Sequence, residues 1–170
     1  TFYANKESLT GLANRRAFIE CIDKHIHLGD RFQIPFTVMF IDLNRFKEIN
    51  DIYGHDLGDK LLVAVGKRIL TIVENDDFVS RYGGDEFTIV LPEHTLVAAE
   101  IVAKTVQDKL EQTFNFDKVS LDINVSIGLA QYPESGLTST EVLRNANHAM
   151  LRMKAGNNKK IGLHDADLQN

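Results

Sequence analysis

Apolar residues recur every three or four positions from Asn14 to about Leu28, with Phe18, Ile19, Ile22 and Ile26 on one face, and this spacing predicts a helix. Phe36 to Asp42 (FTVMFID) is instead continuously apolar up to a terminal acid, the pattern of a buried strand that emerges at a site. A short helix is expected over roughly Arg45 to Ile52, followed by a Gly-rich turn, YGHDLGD. A longer helix then carries Leu61, Leu62, Val65, Ile69, Ile72 and Val73. Phe78 to Tyr82 and Glu86 to Leu91 read as two strands, the second ended by Pro92. Gly83-Gly84 between them suits a tight hairpin, because glycine readily adopts the positive φ such loops need. Leu96 to about Thr113 has helical spacing at Ala99, Val102, Val106 and Leu110. Leu121, Ile123, Val125, Ile127 and Leu129 alternate with polar residues and Gly128, as in a half-buried strand. A last helix over roughly Ser139 to Ala155 buries Val142, Leu143, Ala146, Met150 and Met153, and Lys160 to Leu163 forms a short closing strand.

A hairpin inside an otherwise alternating chain argues against a fully parallel, doubly wound sheet. The expected class is α+β, with a mixed, largely antiparallel central sheet flanked by helices. The 170 residues, without repeat or linker, predict one domain with its core at about 7–163. A net charge of -5 gives no bulk attraction to nucleic acid or to an anionic membrane, so an anionic ligand needs a metal or a local basic cluster. Cys21 is the only cysteine, which excludes an internal disulfide and fits a reducing compartment, the cytoplasm. The longest apolar run, Phe36 to Ile41, is too short to span a bilayer. The chain opens with Thr1 rather than Met, so it is expected to be part of a longer protein, whose other segments include any membrane anchor.

The first strand ends in Asp42, and the hairpin tip, RYGGDEF, carries Asp85 and Glu86. Carboxylates crowded in this way repel one another unless a cation sits between them, and Mg²⁺ takes hard oxygen ligands together with substrate phosphates. The plainer alternative is a solvated Gly-Gly turn whose acids face water. After Asp42, Asn44-Arg45-Phe46-Lys47 lies where strand passes into helix, and free N–H groups at a helix start bind phosphate. Lys47 adds a point charge. Asn50 and Asp59 have the chemistry to read a guanine edge, a carboxylate accepting from the base and an amide donating to it, with capping and turn formation as the alternative.

Four blocks, LTGLANRRAF, FIDLNRFKEINDIYGHDLGDKLL, RYGGDEF and VSIGLAQYP, follow in one order and cover nearly the whole chain. Together they resemble the GGDEF family, the bacterial diguanylate cyclases, from about Glu7 to Lys160. The resemblance implies a palm-like nucleotidyl cyclase fold and the condensation of two GTP into cyclic di-GMP with release of two pyrophosphates. It implies Mg²⁺, with Mn²⁺ as a substitute, held by Asp42, Asp85, the Leu43 carbonyl and Glu86. Glu86 is also implied in deprotonating the attacking hydroxyl. It implies phosphate contacts from Asn44, Arg45 and Phe46 through their backbone and from Lys47 and Lys154 through their side chains, and guanine contacts from Asn50 and Asp59. A homodimer, with one GTP on each chain, and an upstream sensor or regulatory domain are implied partners. The alternative is a catalytically silent GTP-binding or regulatory domain. A template-using polymerase palm fits poorly, since the chain lacks room for further subdomains and has no basic nucleic-acid track.

Several positions depart from the family pattern. Glu7 replaces the usual Asp before LTGL, and Asn147 and Leu151 replace Asp and Tyr in the last helix. Asn157-Asn158-Lys159 stands for a Gly-Arg/Lys-Asn ending, so triphosphate affinity is expected to fall unless Lys159 or Lys160 compensates. Many members carry an inhibitory RxxD product site before the hairpin; here it reads Glu74-Asn75-Asp76-Asp77, and weak or absent product inhibition is expected. Arg15 and Arg16 read as surface charges, with contact to a partner subunit as the alternative. His25 and His27, two apart, share no helix face and are not expected to ligate metal.

Overall fold

The structure is a computed structural model that describes residues 5–155 and 161–163. Its elements run α1 (Arg15–Phe32), β1 (Phe36–Leu43), α2 (Phe46–Tyr53), α3 (His55–Leu70), β2 (Phe78–Arg81), β3 (Glu86–Pro92), α4 (Leu96–Leu110), β4 (Phe114–Phe116), β5 (Val119–Leu121), β6 (Val125–Tyr132), α5 (Ser139–Ala155) and β7 (Ile161–Leu163). Five strands form one sheet in the order β2-β3-β1-β6-β7, antiparallel except for the β6–β7 pair, and β4–β5 is a separate hairpin. This is the mixed, mostly antiparallel α+β fold that the hairpin predicts, and it agrees with the palm-like fold that the resemblance implies.

β1 is central and buried along its whole length, which explains its unbroken apolar run. Met39, Ile41 and Leu43 face one way, into a core shared with α3 and α4. Phe36, Val38 and Phe40 face the other way, into a core shared with α1 and α5. Because strand side chains alternate, Asp42 belongs to the second face. α5 lies unusually close to the sheet there: a Cβ on Gly128 would collide with the Ala146 carbonyl and the Met150 amide, and one on Gly162 with the Ala149 carbonyl.

Five local expectations need correction. α1 does not stop near Leu28 but continues to Phe32. Position 29 inside the helix is glycine because any Cβ there would sit 2.6 Å from the Tyr132 ring and 2.7 Å from the Ile34 carbonyl. YGHDLGD is not a long turn: only Gly54, at φ +91°, separates α2 from α3. Gly83 and Gly84 are not among the positive-φ residues; Gly83 instead leaves room for the Glu86 carboxylate, which folds back against it. The strand expected from Leu121 to Leu129 is divided between β5 and β6, and α4 ends at Leu110 so that the β4–β5 hairpin can form. Leu121 and Ile123 are buried all the same, so the apolar alternation survives the break. Asn157, Asn158, Lys159 and Lys160 lie outside the described residues.

Candidate active site

Asp42 is brought to the end of β1 directly opposite Glu86 on β3 and Ser126 on β6. The hairpin turns beside it, and the Leu43 amide donates to the Asp85 carbonyl at 3.1 Å. From the other side Lys154, in the last turn of α5, donates to Asp42 Oδ2 at 2.6 Å. The expected phosphate-neutralising lysine thus contacts a carboxylate in this state. Asp42 is only 7% exposed, and its Oδ1 is buried without a hydrogen-bond partner among the described residues.

The hairpin acids pay an electrostatic penalty for this position. Burial, then repulsion from Asp42, pushes the Asp85 pKa up despite attraction from Lys154. Burial, then Asp42 and Asp85, likewise raises that of Glu86, with Arg15 and Lys154 opposing. Among the described residues no group of three His, Cys, Asp or Glu side chains is arranged to hold a metal ion by itself. The donors nevertheless fit a hard divalent cation: an orphaned carboxylate oxygen beside two acids whose ionisation the fold disfavours. Such an ion takes its remaining ligands from backbone carbonyl, water and phosphate oxygens.

Asn44 through Phe46 make the strand-to-helix corner. The Asn44 amide donates to the Asn124 carbonyl, and its Oδ1 accepts from the Ser126 hydroxyl at 3.0 Å. Arg45 is left-handed at φ +60° and precedes α2, and Lys47 projects from the first turn into solvent. Asn50 reaches back from α2 onto α3, where its side-chain oxygen is buried with no partner among the described residues and lies so close to Gly58 that a Cβ there would collide with it. Asp59 follows Gly58 and is exposed. Asn50 and Asp59 are therefore brought to one corner, and Asn50 does not cap or brace anything through its amide oxygen.

Two features escaped the sequence reading. Arg81, just before the glycines, donates to Glu7 Oε1 at 2.7 Å and to the Gly84 carbonyl at 2.8 Å, clamping the hairpin to the N-terminal turn. Glu7 also accepts from the Leu9 amide and from the Thr10 amide and hydroxyl. Burial opposes its ionisation, but these donors and Arg81 outweigh it and hold the pKa below its ordinary value. Both oxygens of the Glu7 carboxylate are thus engaged. Arg15 is not merely a surface charge: its guanidinium lies 4.4 Å from the centre of the Tyr82 ring, whereas Arg16 pairs with Glu20 on the surface. Only the proximity of Arg81 to the glycine pair in sequence could have signalled the clamp.

A family model described as "Diguanylate cyclase, GGDEF domain" matches residues 4–160. The chain is 37% identical over 153 residues to the cyclic di-GMP phosphodiesterase PdeR of Escherichia coli, covering 90% of this chain and 23% of that protein. It is 36% identical over 148 residues to MucR of Pseudomonas aeruginosa, named a bifunctional diguanylate cyclase/cyclic di-GMP phosphodiesterase, covering 87% of this chain and 22% of that protein. The chain therefore spans about a fifth to a quarter of the length of these relatives. The crystal structure of the GGDEF domain of YfiN (TpbB) from Pseudomonas aeruginosa superposes with a TM-score of 0.88 at 32% identity, covering 92% of this chain and 98% of that one.

Proposed function

The chain belongs to the GGDEF domain family, and from that premise we propose that it is the diguanylate cyclase domain of a longer signalling protein, condensing two GTP into cyclic di-GMP and two pyrophosphates. The observation that carries the reading is the Asp42 corner: an unpartnered, buried carboxylate oxygen beside two acids raised in pKa by burial and mutual repulsion. A fold keeps such a cluster at a cost to stability, and a divalent cation with a polyphosphate relieves it. Asp42, Asp85, Glu86 and the Leu43 carbonyl are the residues that would hold Mg²⁺ or Mn²⁺. When bound, the ion would offset phosphate charge and polarise the phosphoryl group under attack.

The remaining roles fall to the chain's own groups. Backbone N–H groups at Arg45 and Phe46 meet the phosphates at the start of α2, whereas that of Asn44, expected to join them, is already bonded to the Asn124 carbonyl. Lys47, exposed and without an ion pair among the described residues, is free to reach them. Lys154, which contacts Asp42 in this structure, would be free to meet a phosphate oxygen if a cation were held at that carboxylate. Asn50 and Asp59 select guanine, the buried Asn50 oxygen finding in the ligand the partner it lacks in the protein. Glu86 accepts the proton of the attacking ribose 3′-hydroxyl. The new phosphodiester joins that oxygen to the α-phosphorus of the facing GTP as pyrophosphate leaves. Two chains must face each other for this, and aligning the two substrates removes roughly 7–11 kcal/mol of the barrier in favourable cases.

Loss of the product-inhibition site is part of the reading. Glu74 presents a carboxylate where a phosphate would need a cation, and the Asp77 side chain is occupied in accepting from the Glu74 amide at 2.9 Å. Cytoplasmic GTP is the proposed substrate, and among the described residues no helix is long and apolar enough to cross a membrane. The competing reading, a silent nucleotide-binding regulator, is favoured by the phosphodiesterase name of PdeR. Incubation of the chain with GTP and Mg²⁺, with products identified by mass, separates the two. Cyclic di-GMP and pyrophosphate support the enzyme; tight GTP binding with neither product overturns it.

A further inference from the structure

The side of the sheet that carries Asp42 also holds a groove of about 360 Å³ between α1 and α5, with Phe40 in its lining and Glu86, Tyr82, Arg15, Arg144 and Asn147 among its other residues. Arg15 stacks on Tyr82, and its charge acts on Glu86. Arg144 is exposed and makes no hydrogen bond or ion pair among the described residues. Two guanidinium groups against one carboxylate make the lining net positive in a chain whose overall charge is -5. Arg144, Asn147, Leu151 and Lys154 recur at three- and four-residue spacing and share a face of α5, so a helix face with two cations and an amide, interrupted by the apolar Leu151, leads from the groove to Asp42. The guanine corner at Asn50 and Gly58 is built by α2 and α3, elements that pack with the opposite core. Groove and guanine corner thus flank the carboxylates from opposite sides of the sheet, and a nucleotide seated at Asn50 and Asp59 leaves the groove open.

We propose that this groove is the docking site for a phosphate group of a second nucleotide, the one carried by a facing copy of the chain, with Arg15 and Arg144 as its anchors. The assignment rests on the cyclase reading for the identity of that nucleotide. Planar guanidinium groups bind phosphate oxygens in pairs and need no pKa adjustment to do so. Each subunit then contributes to both half-reactions: its α2–α3 corner holds its own GTP, and its α1–α5 groove fixes the α-phosphate end of its neighbour's beside Glu86. Arg15 and Arg144 act by positioning, and dimerisation becomes dependent on loaded nucleotide.

The test uses 3′-deoxy-GTP with Mg²⁺, which lacks the attacking hydroxyl and so loads the protein without turnover. Sedimentation equilibrium should show probe-dependent self-association of the wild-type chain. Arg15→Ala and Arg144→Ala should each weaken that association by about 10-fold or more, and Arg144→Lys should restore part of it. Calorimetric affinity of the monomer for the probe should change less than about twofold, the scatter expected of a surface substitution. Wild-type association in both alanine variants, a comparable loss of monomer affinity, or no probe-dependent association of the wild type would each overturn the assignment. Failure of the cyclase reading is separate: a wild-type chain that makes no cyclic di-GMP from GTP, yet associates with the probe through these arginines, keeps the groove and loses the reaction.

Discussion

Two acidic corners lie on either side of the same hairpin, and the fold treats them in opposite ways. At Glu7 the carboxylate accepts from Leu9, Thr10 and Arg81, and its pKa falls. At Asp42 one oxygen contacts Lys154, the other has no partner among the described residues, and the neighbouring Asp85 and Glu86 are pushed up in pKa. The first corner is complete within the protein and serves to brace the Gly83-Gly84 turn. The second is incomplete and requires something from outside. A satisfied acid is a structural element; an acid that the fold leaves repelled is a binding site awaiting its ligand.

The contrast is broken most directly at Asp85. Asp85→Ala should lower cyclic di-GMP formation by at least about 10²-fold, as loss of a group that stabilises charge at the reacting centre does. Its melting temperature in chelator should be no lower than wild type, because a repelling charge has been removed. A large drop in thermal stability would mean that the acid braces the fold after all. At the other corner, Glu7→Ala should cost about 2 kcal/mol, since it strands a mostly buried arginine and several donors. In a chain of this size that corresponds to a melting temperature lower by about 4–8 °C. Differential scanning calorimetry checks it, and an unchanged melt would remove the clamp from the account.

Asn50 tests the same distinction without charge. Asn50→Ala should lower kcat/KM for GTP about 10-fold, roughly 1.4 kcal/mol, with most of the change in KM. Its melt should be equal to or above wild type, since the substitution removes a buried oxygen that has no partner. An Asn50→Ala chain that melts early with unaltered KM would make this residue a packing element.

The smallest effect is the most diagnostic, because its sign differs between the corners. Glu7 has a lowered folded pKa, so its stabilisation is present at neutral pH and lost as pH falls through that value, below the ordinary 4.5. Asp85 has a raised folded pKa, so in the metal-free chain its ionised form costs stability at neutral pH. That cost vanishes as pH falls through the raised value, above the ordinary 3.8. Glu7→Gln should therefore destabilise and Asp85→Asn stabilise at pH 7, each difference fading in acid. Water still reaches both groups, which holds each effect to about 1 kcal/mol or less. Urea titrations at pH 7 and pH 3 measure it, and differences of the same sign at both corners would end the comparison.

Much of the fold was legible because periodicity reports burial directly. β1 was readable from FTVMFID because a central strand buries both faces, and α1 was readable from its 3.6-residue spacing and from Asn14, whose side chain accepts from the Ala17 amide at 2.9 Å. Glycines misled where their purpose is close approach rather than a turn. Gly29 lies just past the expected end of α1 and Gly58 falls in the expected turn, yet both sit in helices against a neighbouring side chain. The break between β5 and β6 was invisible because Leu121, Ile123 and Val125 stay buried across it. In the site, Asp42, Asp85 and Glu86 were legible as acids at strand ends. The Lys154–Asp42 contact spans 112 positions and the Glu7–Arg81 clamp 74, so no local pattern could announce either.

Sequence alone determined most of the helices and strands of the central sheet, that the sheet is mixed, and which side chains are chemically equipped to meet a cation, a triphosphate and a guanine. These follow from the spacing of apolar residues and from functional groups that each residue carries wherever it lies. Tertiary structure alone decided which of two acidic corners is satisfied and which is left strained. That difference depends on burial and on the distance between charges, and both are set only when α5 settles onto Gly128 and Gly162 and the hairpin closes beside β1.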